Sequence, residues 1–349
     1  MKRTHIALTV TIALVACPPA MAAPDDVELL KQAQQLFAPL PKDLATPDFP
    51  TTKERVTLGR SLFFDTRFSI DGTVGCATCH QPALYGTDGR PRSIGVKGRP
   101  HPRHAPTVLN AALQFIIHWR GDRTNAEDQV AQSLLSPITS GQPDDQAVLA
   151  RVNGIPGYPP MFKAAFPHDP EPVSRKNMAL AIGAFERTLV TPSRFDDYLK
   201  GDVGTLSAKE QSGLSKFVSV GCIACHNGPG VGGGMYQKFG VMEDYWNLTH
   251  SDPIDKGRAG VTNKNEDLYM FKVPTLRNVE MTPPYFHDGS VATLSEAVKV
   301  MARLQLGAKL DEGDVEDIVS FLRSLTGPLP ADFATAPVLP PGAPAVAGK

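Results

Sequence analysis

Residues 75–80 read Gly-Cys-Ala-Thr-Cys-His, and residues 221–226 read Gly-Cys-Ile-Ala-Cys-His. In each stretch two cysteines are separated by two residues and followed directly by a histidine. Two thiols at that spacing reach both vinyl groups of one porphyrin, and the next residue brings an imidazole to the iron. The repeated motif therefore predicts two c-type haems, and the residues that would hold them are Cys76, Cys79 and His80 for the first and Cys222, Cys225 and His226 for the second.

Two other uses of paired cysteines are a pair of disulfides and a four-cysteine zinc ribbon. The long separation between the two pairs suits neither a compact ribbon nor a small disulfide-stapled scaffold. A histidine directly after both pairs is typical of haem attachment. We therefore interpret all four cysteines as haem-binding.

Length and composition limit the class of protein. The chain has 349 residues, 42% of them hydrophobic and 20% charged, which is typical of a soluble globular protein with two domains. Its 35 basic residues are balanced by 36 acidic ones, so the basic excess of nucleic-acid-binding proteins is missing. We expect no nucleic-acid partner.

The N-terminus has the pattern of an export signal. Lys2 and Arg3 precede an apolar run, residues 6–16, and Ala20-Met21-Ala22 is a small-x-small cleavage site. We predict a signal peptide over residues 1–22 and a periplasmic protein. The alternative is a lipobox ending at Cys17, which would give a lipid-anchored form, also outside the cytoplasm.

Helical periodicity dominates the rest of the chain, and stretches that resemble strands are scarce. Helices are predicted at Asp26–Phe37, Lys53–Phe64, Asn125–Leu135, Ser174–Val190, Ser207–Val218, Thr293–Leu304 and Gly313–Leu325. The 30 glycines and 32 prolines indicate long ordered loops between the helices. Gly59 and Phe63 precede the first motif much as Gly213 and Phe217 precede the second, so the pattern predicts a mainly α fold with two related domains.

Further motifs extend over residues 50–328. They are Leu58-Gly59-x-x-Leu62-Phe63-Phe64-Asp65, Ala105-Pro106-Thr107-Val108-Leu109-Asn110, Trp119 with Gln129, Phe271-Lys272-Val273-Pro274-Thr275-Leu276-Arg277-Asn278 and Pro284-Tyr285-Phe286-His287-Asp288-Gly289. Together with the two haem motifs they resemble the bacterial di-haem cytochrome c peroxidases and their MauG-type relatives. The last two blocks are long and specific.

The resemblance implies two cytochrome c-like helical domains with one covalent haem each. The N-terminal peroxidatic domain would span residues 23–200 and meet hydrogen peroxide. The C-terminal electron-transfer domain would span residues 201–328 and receive electrons from a cytochrome c or a cupredoxin. Residues 329–349 form a Pro/Ala-rich segment that we expect to be a flexible tail. A homodimer is one option for the assembly.

The resemblance also implies roles for single residues. Met301, fourteen residues after His287, matches the sixth ligand of the second haem, where MauG-type enzymes carry tyrosine. Trp119 matches a tryptophan between the two haems, and Gln129 matches a glutamine of the peroxide pocket. Without the resemblance, Met301 and Trp119 are ordinary core residues and Gln129 is a solvent-facing helix residue.

Two departures from the family pattern concern the first haem. The loop histidine that blocks this haem in many resting peroxidases falls at Val96, so we expect an open iron, although His101 and His104 in the same loop remain alternatives. The pocket glutamate falls at Thr139, and threonine cannot act as a base at neutral pH. We considered Glu127, Asp128, Asp144 and Asp145 as substitutes, although these residues fit solvated charges better.

A third departure concerns a calcium site between the domains. Two backbone carbonyls of the family site match Thr282 and Pro284, but the asparagine ligand falls at His104, which suits a hard cation poorly. Calcium is therefore one option as a further cofactor.

The leading interpretation is an enzyme, a peroxidase that reduces hydrogen peroxide to water with electrons entering at the C-terminal haem. One alternative is a MauG-type oxidase that acts on a partner protein. Another is a non-catalytic cytochrome that transfers electrons or senses peroxide, which is favoured only if Thr139 in place of the glutamate disables the peroxide pocket.

Overall fold

A computed structural model describes residues 24–342, and this part of the chain is mainly helical, as the sequence predicts. The helices are α1 (Pro24–Leu36), α2 (Lys53–Phe64), α3 (Cys76–Cys79), α4 (Ala126–Ser133), α5 (Asp145–Asn153), α6 (Tyr158–Ala165), α7 (Arg175–Glu186), α8 (Arg194–Leu199), α9 (Ala208–Val220), α10 (Trp246–Thr249), α11 (Ala259–Thr262), α12 (Leu294–Leu306), α13 (Glu312–Ser324) and α14 (Ala331–Ala334). Two short strands, β1 (Tyr236–Lys238) and β2 (Met270–Lys272), pair antiparallel with Tyr236 opposite Lys272.

Two N-terminal predictions lie outside the described residues: the signal peptide over residues 1–22 and the lipid anchor at Cys17. Among residues 24–342, no helix has both the length and the apolar character needed to cross a bilayer.

The first domain is built on a close crossing of α2 and α7. Gly59 makes this crossing possible, because a Cβ atom there would lie 1.8 Å from the carbonyl oxygen of Ala181. Phe63 and Phe185 pack edge to face beside it, with ring centroids 5.4 Å apart. Both rings are fully buried and form the centre of the first hydrophobic core.

The second domain repeats this arrangement with α9 and α13. A Cβ atom at Gly213 would lie 1.9 Å from the carbonyl oxygen of Asp317. Phe217 and Phe321 pack next to the crossing, with ring centroids 5.3 Å apart. A capping box between Ser207 and Glu210 starts α9. The weak internal repeat of the sequence therefore corresponds to a repeated pair of crossed helices.

The first and last helices of the described residues, α1 and α14, pack on opposite domains. In α1, Leu30 and Ala33 belong to the core of the second domain, and the following Phe37 meets Phe195 of α8 at 5.3 Å. At the other end, Phe333 of α14 is fully buried against the first core. The two hydrophobic cores therefore do not follow the predicted boundaries at residues 200 and 328, because each core includes a segment that is distant from the rest of it in the sequence.

The C-terminal segment up to residue 342 also differs from the expected flexible tail. Arg60 of α2 donates hydrogen bonds to the carbonyl oxygens of Asp332 and Thr335, at 2.6 and 2.8 Å. Arg67 donates to the carbonyl oxygen of Pro340 at 3.0 Å. The Pro/Ala-rich composition suggested disorder, but one buried aromatic ring and two arginines fix the segment to the first domain.

Candidate functional site

The first haem motif forms a single helical turn that leaves His80 pointing away from it. α3 spans Cys76–Cys79, and the backbone N–H of Gly75 donates to Thr78 Oγ1 at 3.0 Å. His80 Nδ1 lies 2.9 Å from the carbonyl oxygen of Gly86. Because a carbonyl only accepts, Nδ1 carries the proton and Nε2 keeps its lone pair for a metal.

Cys76, Cys79 and His80 line a cavity of about 370 Å³, which we call the first cavity. Gln129 of α4 and Thr139 border the same cavity. The structure therefore brings both pocket positions of the sequence analysis together with the first motif.

The second motif lines a separate cavity of about 230 Å³, the second cavity. Cys222 begins a single 3₁₀ turn, Cys225 and His226 follow it, and all three residues face the cavity. Burial lowers the pKa of His226 to about 4, so its imidazole is neutral, the form that binds iron.

The residues of both cavities fit a haem. All four motif cysteines are free thiols, and both histidines are held in their neutral form because burial lowers the pKa of each. In the first cavity, Nε of Arg120 and Nε of Arg123 are buried without a hydrogen-bond partner. Unpaired donors in the cavity that the thiols also line suit the acidic side chains that a haem carries.

Trp119 borders both cavities. Its Nε1 donates to the carbonyl oxygen of His104 at 2.9 Å, and its own carbonyl oxygen accepts from the backbone N–H of Lys272 at 2.7 Å. The indole is thus held by His104 and the backbone of Trp119 by β2, and the expected position between two haems stays a prediction. The role of Trp119 in electron transfer also stays a prediction.

Met301 of α12 lines the second cavity together with His226. It also packs against the aromatic cluster that contains Phe239 and Phe271. The structure brings the methionine and His226 to one cavity, and a bond between Met301 and iron stays a prediction.

Thr139 has a hydroxyl in place of a carboxylate, and a threonine hydroxyl cannot act as a base at neutral pH. This hydroxyl donates to Ser136 Oγ at 3.1 Å. The four carboxylates considered as substitutes do not line the first cavity. Glu127 forms a buried ion pair with Arg187 at 2.7 Å. Asp128 accepts from the N–H of Thr124, Asp144 caps α5, and Asp145 pairs with Arg175.

The sequence analysis missed Glu186, a buried residue at the end of α7 that lines the first cavity. Burial raises the pKa of its carboxyl to about 8, so it holds a proton at neutral pH. The signal was present in the helix periodicity, because Glu186 follows Met178 and Ile182 at intervals of four, and all three side chains face the cavity.

The loop that carries Val96 turns this residue away from the first cavity. Val96 is buried, and its N–H donates to the carbonyl oxygen of Ile138 at 2.8 Å. His104 Nδ1 lies 2.7 Å from the carbonyl oxygen of Arg90, so this ring is engaged. His101 lines the cavity, and its Nε2 is buried without a hydrogen-bond partner.

The predicted calcium carbonyls belong to residues at the border of the second cavity. Thr282 and Pro284 both line it, as does His104, whose N–H donates to the carbonyl oxygen of His287 at 2.9 Å. The three residues are thus near one another, and calcium binding stays a prediction.

This chain is similar to known proteins in both sequence and structure. A family model described as di-haem cytochrome c peroxidase matches residues 53–204. The cytochrome c551 peroxidase of Nitrosomonas europaea is 42% identical over 84% of this chain and 85% of its own. That of Pseudomonas aeruginosa is 41% identical over 86% of each chain. A crystal structure of a MauG-like protein associated with microbial copper homeostasis covers 82% of this chain and 93% of its own, at 29% identity and a TM-score of 0.73.

Proposed function

The chain belongs to the di-haem cytochrome c peroxidase family, whose members are oxidoreductases that carry two haems, and from this premise we propose a division of labour between its two cavities. Hydrogen peroxide is reduced to water in the first cavity. Electrons from a small redox protein enter at the second cavity and pass Trp119.

The observation that carries this proposal is the position of Trp119 between two cavities, each of which contains one complete haem motif. Two cavities joined by one packed indole suit a reaction in which the oxidant and the electron donor bind at different places. The first cavity is lined by Gln129, which suits peroxide, whereas the second is lined by Met301, which packs against the aromatic cluster of Phe239 and Phe271.

In this proposal Cys76 and Cys79 would hold a haem, which would supply iron for the reaction with peroxide. His80 would be its histidine ligand through Nε2, because Nδ1 is committed to Gly86. Gln129 orients peroxide with its side-chain amide, and Glu186 holds a proton beside the cavity. Each peroxide takes up two electrons and two protons and leaves as two waters.

Electron entry at the second domain is supported by apolar surface next to its motif. Leu306 lies beside Gly221, 3.8 Å from where a Cβ atom there would be, and it is partly exposed. Met242, 61% exposed, packs next to it at Gly307. Such a patch suits transient contact with a cytochrome c or a cupredoxin. Export to the periplasm, where such donors occur, is part of the proposal.

The test is steady-state turnover of hydrogen peroxide with a reduced small cytochrome c as donor. We expect donor oxidation that depends on peroxide, in protein whose mass contains two haem additions that survive acid–acetone extraction. Holoprotein with both haems that oxidises no donor would contradict the peroxidase proposal.

Thr139 favours a second candidate, a cytochrome that transfers electrons or senses peroxide without turning it over. If the holoenzyme exchanges electrons with the donor but leaves peroxide unchanged, this candidate replaces the first. A MauG-type oxidase would instead withdraw electrons from a partner protein's side chains, and the methionine at position 301 argues against it.

A further inference from the structure

Lys272 is a buried cation without a carboxylate partner. It lies on β2 and is 4% exposed. Within residues 24–342 its ammonium forms no ion pair, and its hydrogen-bond acceptor is Oε1 of Gln114. Burial lowers the pKa of Lys272 to about 8, which still leaves most of the side chain charged at neutral pH.

Two other strongly buried cations of the fold each have a carboxylate partner, which Lys272 lacks. Arg277 is fully buried against Asp196 at 2.6 Å, and Arg187 is buried against Glu127 at 2.7 Å. A charge taken out of water without a counter-ion is costly, and natural proteins pair it or supply it with an anionic ligand. The environment of Lys272 therefore requires an anion that the polypeptide does not provide.

The position of Lys272 indicates which anion this is. Its side chain lines the second cavity, the cavity of Cys222, Cys225 and His226. Gln114, its amide partner, borders both cavities. The pair thus lies where the two cavities approach each other.

Several contacts hold this pair in place. The N–H of Lys272 donates to the carbonyl oxygen of Trp119 at 2.7 Å. Gln114 packs against Gly233, where a Cβ atom would lie 2.8 Å from its Cγ, and the N–H of Phe115 donates to the carbonyl oxygen of Gly233 at 3.2 Å. A fixed ammonium of this kind is preorganised for a ligand carboxylate.

We propose that Lys272 binds a propionate carboxylate of the haem in the second cavity, with Gln114 as the neighbouring polar group. The positive charge then stabilises the reduced haem, whose iron carries one positive charge fewer, and holds its potential up. This inference rests on haem attachment at the second motif and does not depend on peroxide turnover.

The experiment is an optical redox titration of purified holoprotein in the absence of peroxide. Lys272→Met removes the charge and keeps the apolar stem, so we expect the potential of the second haem to shift downwards. Lys272→Arg keeps the charge and should return the potential towards the wild-type value. Lys256→Met, at an exposed lysine of the same domain, is the matched control and should leave the potential unchanged.

An unchanged potential in Lys272→Met would overturn the proposal, as would equal downward shifts in the Met and Arg variants, which would indicate packing rather than charge. If Lys272→Met does not accumulate as folded holoprotein, Lys272→Gln takes its place with the same expectation. Because peroxide is absent, a failure here is distinct from a failure of the peroxidase proposal.

Discussion

At the scale of single residues, Thr139 is the position that limits the proposed chemistry. It borders the first cavity with a hydroxyl already bound to Ser136. A carboxylate would move a proton between the two peroxide oxygens, and general acid–base groups typically contribute about 10²–10⁴-fold in rate.

We therefore expect Thr139→Glu to raise the rate of peroxide reduction by up to that factor, measured by rapid mixing of holoenzyme with peroxide. Thr139→Gln is the control, because glutamine has the same size as glutamate and its amide cannot take up the proton. Donor oxidation at the second haem should be the same in all three proteins. Equal rates in the Glu and Gln variants would show that another group supplies the proton.

Val96 is buried and does not line the first cavity, so this position supplies no blocking histidine; His101, whose Nε2 has no hydrogen-bond partner, is the loop histidine that lines the cavity. We expect fully oxidised holoenzyme to bind cyanide at the first haem without prior reduction, which an optical titration measures. Binding that appears only after one-electron reduction would point to another ligand. His101→Ala would then restore binding if His101 is that ligand.

Met301 lies in the second cavity with His226 and also touches the aromatic cluster. If it binds iron, Met301→Leu should abolish the methionine-ligation absorption band and lower the potential of the second haem. Met242→Leu, at an exposed methionine nearby, should change neither quantity. A Met301→Leu protein with an unaltered spectrum would assign this residue to packing.

The sequence was informative at this scale where the chemistry is local. The Cys-x-x-Cys-His spacing fixes which residues share a haem, so the positions of His80 and His226 could be predicted. The helix periodicity places Glu186 on the same face as Met178 and Ile182, but its raised pKa comes from burial, which the sequence does not show. Lys272 could not be predicted, because its importance comes from burial by distant segments. Lys272 is held in its buried position by contacts with Trp119 and Gln114, which lie far away in the sequence.

At the scale of elements, the glycines at the two helix crossings limit how closely the helices approach. A Cβ atom at Gly213 would collide with the backbone of α13, which cannot rotate aside as a side chain does. We expect Gly213→Ala to destabilise the holoprotein by about 1–3 kcal/mol, as overpacking does, and thermal unfolding would measure it.

Gly313→Ala is the matched control for this prediction. Gly313 lies on α13 as well, but it is exposed and its nearest neighbour would be an ordinary contact at 3.4 Å. It should remain within about 1 kcal/mol of the wild type, since alanine favours a helix over glycine. Similar losses in both variants would mean that the close approach at the crossing does not determine the effect.

Helix boundaries show where periodicity stops being a guide. The prediction for Lys53–Phe64 agrees with α2 to the residue, because Thr52 caps its start. The predicted helix over Ser174–Val190 is wrong beyond Glu186, because the chain continues in tighter turns that still bury Leu189. α5 and α6 were not predicted, since both are short and α6 begins with two prolines after its first residue.

At the scale of the whole molecule, Phe333 connects the C-terminal segment to the first domain. Its ring packs against Phe63 at 6.0 Å and is fully buried. Phe333→Ala should lower stability by about 3–5 kcal/mol, as large-to-small changes of buried aromatics do. Thermal unfolding of the holoprotein measures this, and Val338→Ala, at a residue 98% exposed in the same segment, should have little effect.

The packing of α1 and α14 on opposite domains limits whether either haem domain can fold alone. α1 lies in the core of the second domain, and α14 lies against the core of the first. A chain cut after residue 200 would therefore separate the first core from α14, and the second core from both α1 and α8. The sequence repeats like two small cytochromes joined in tandem, but each half uses at least one helix from the other half in its core. Either half could therefore be produced as an independent module only together with every such helix.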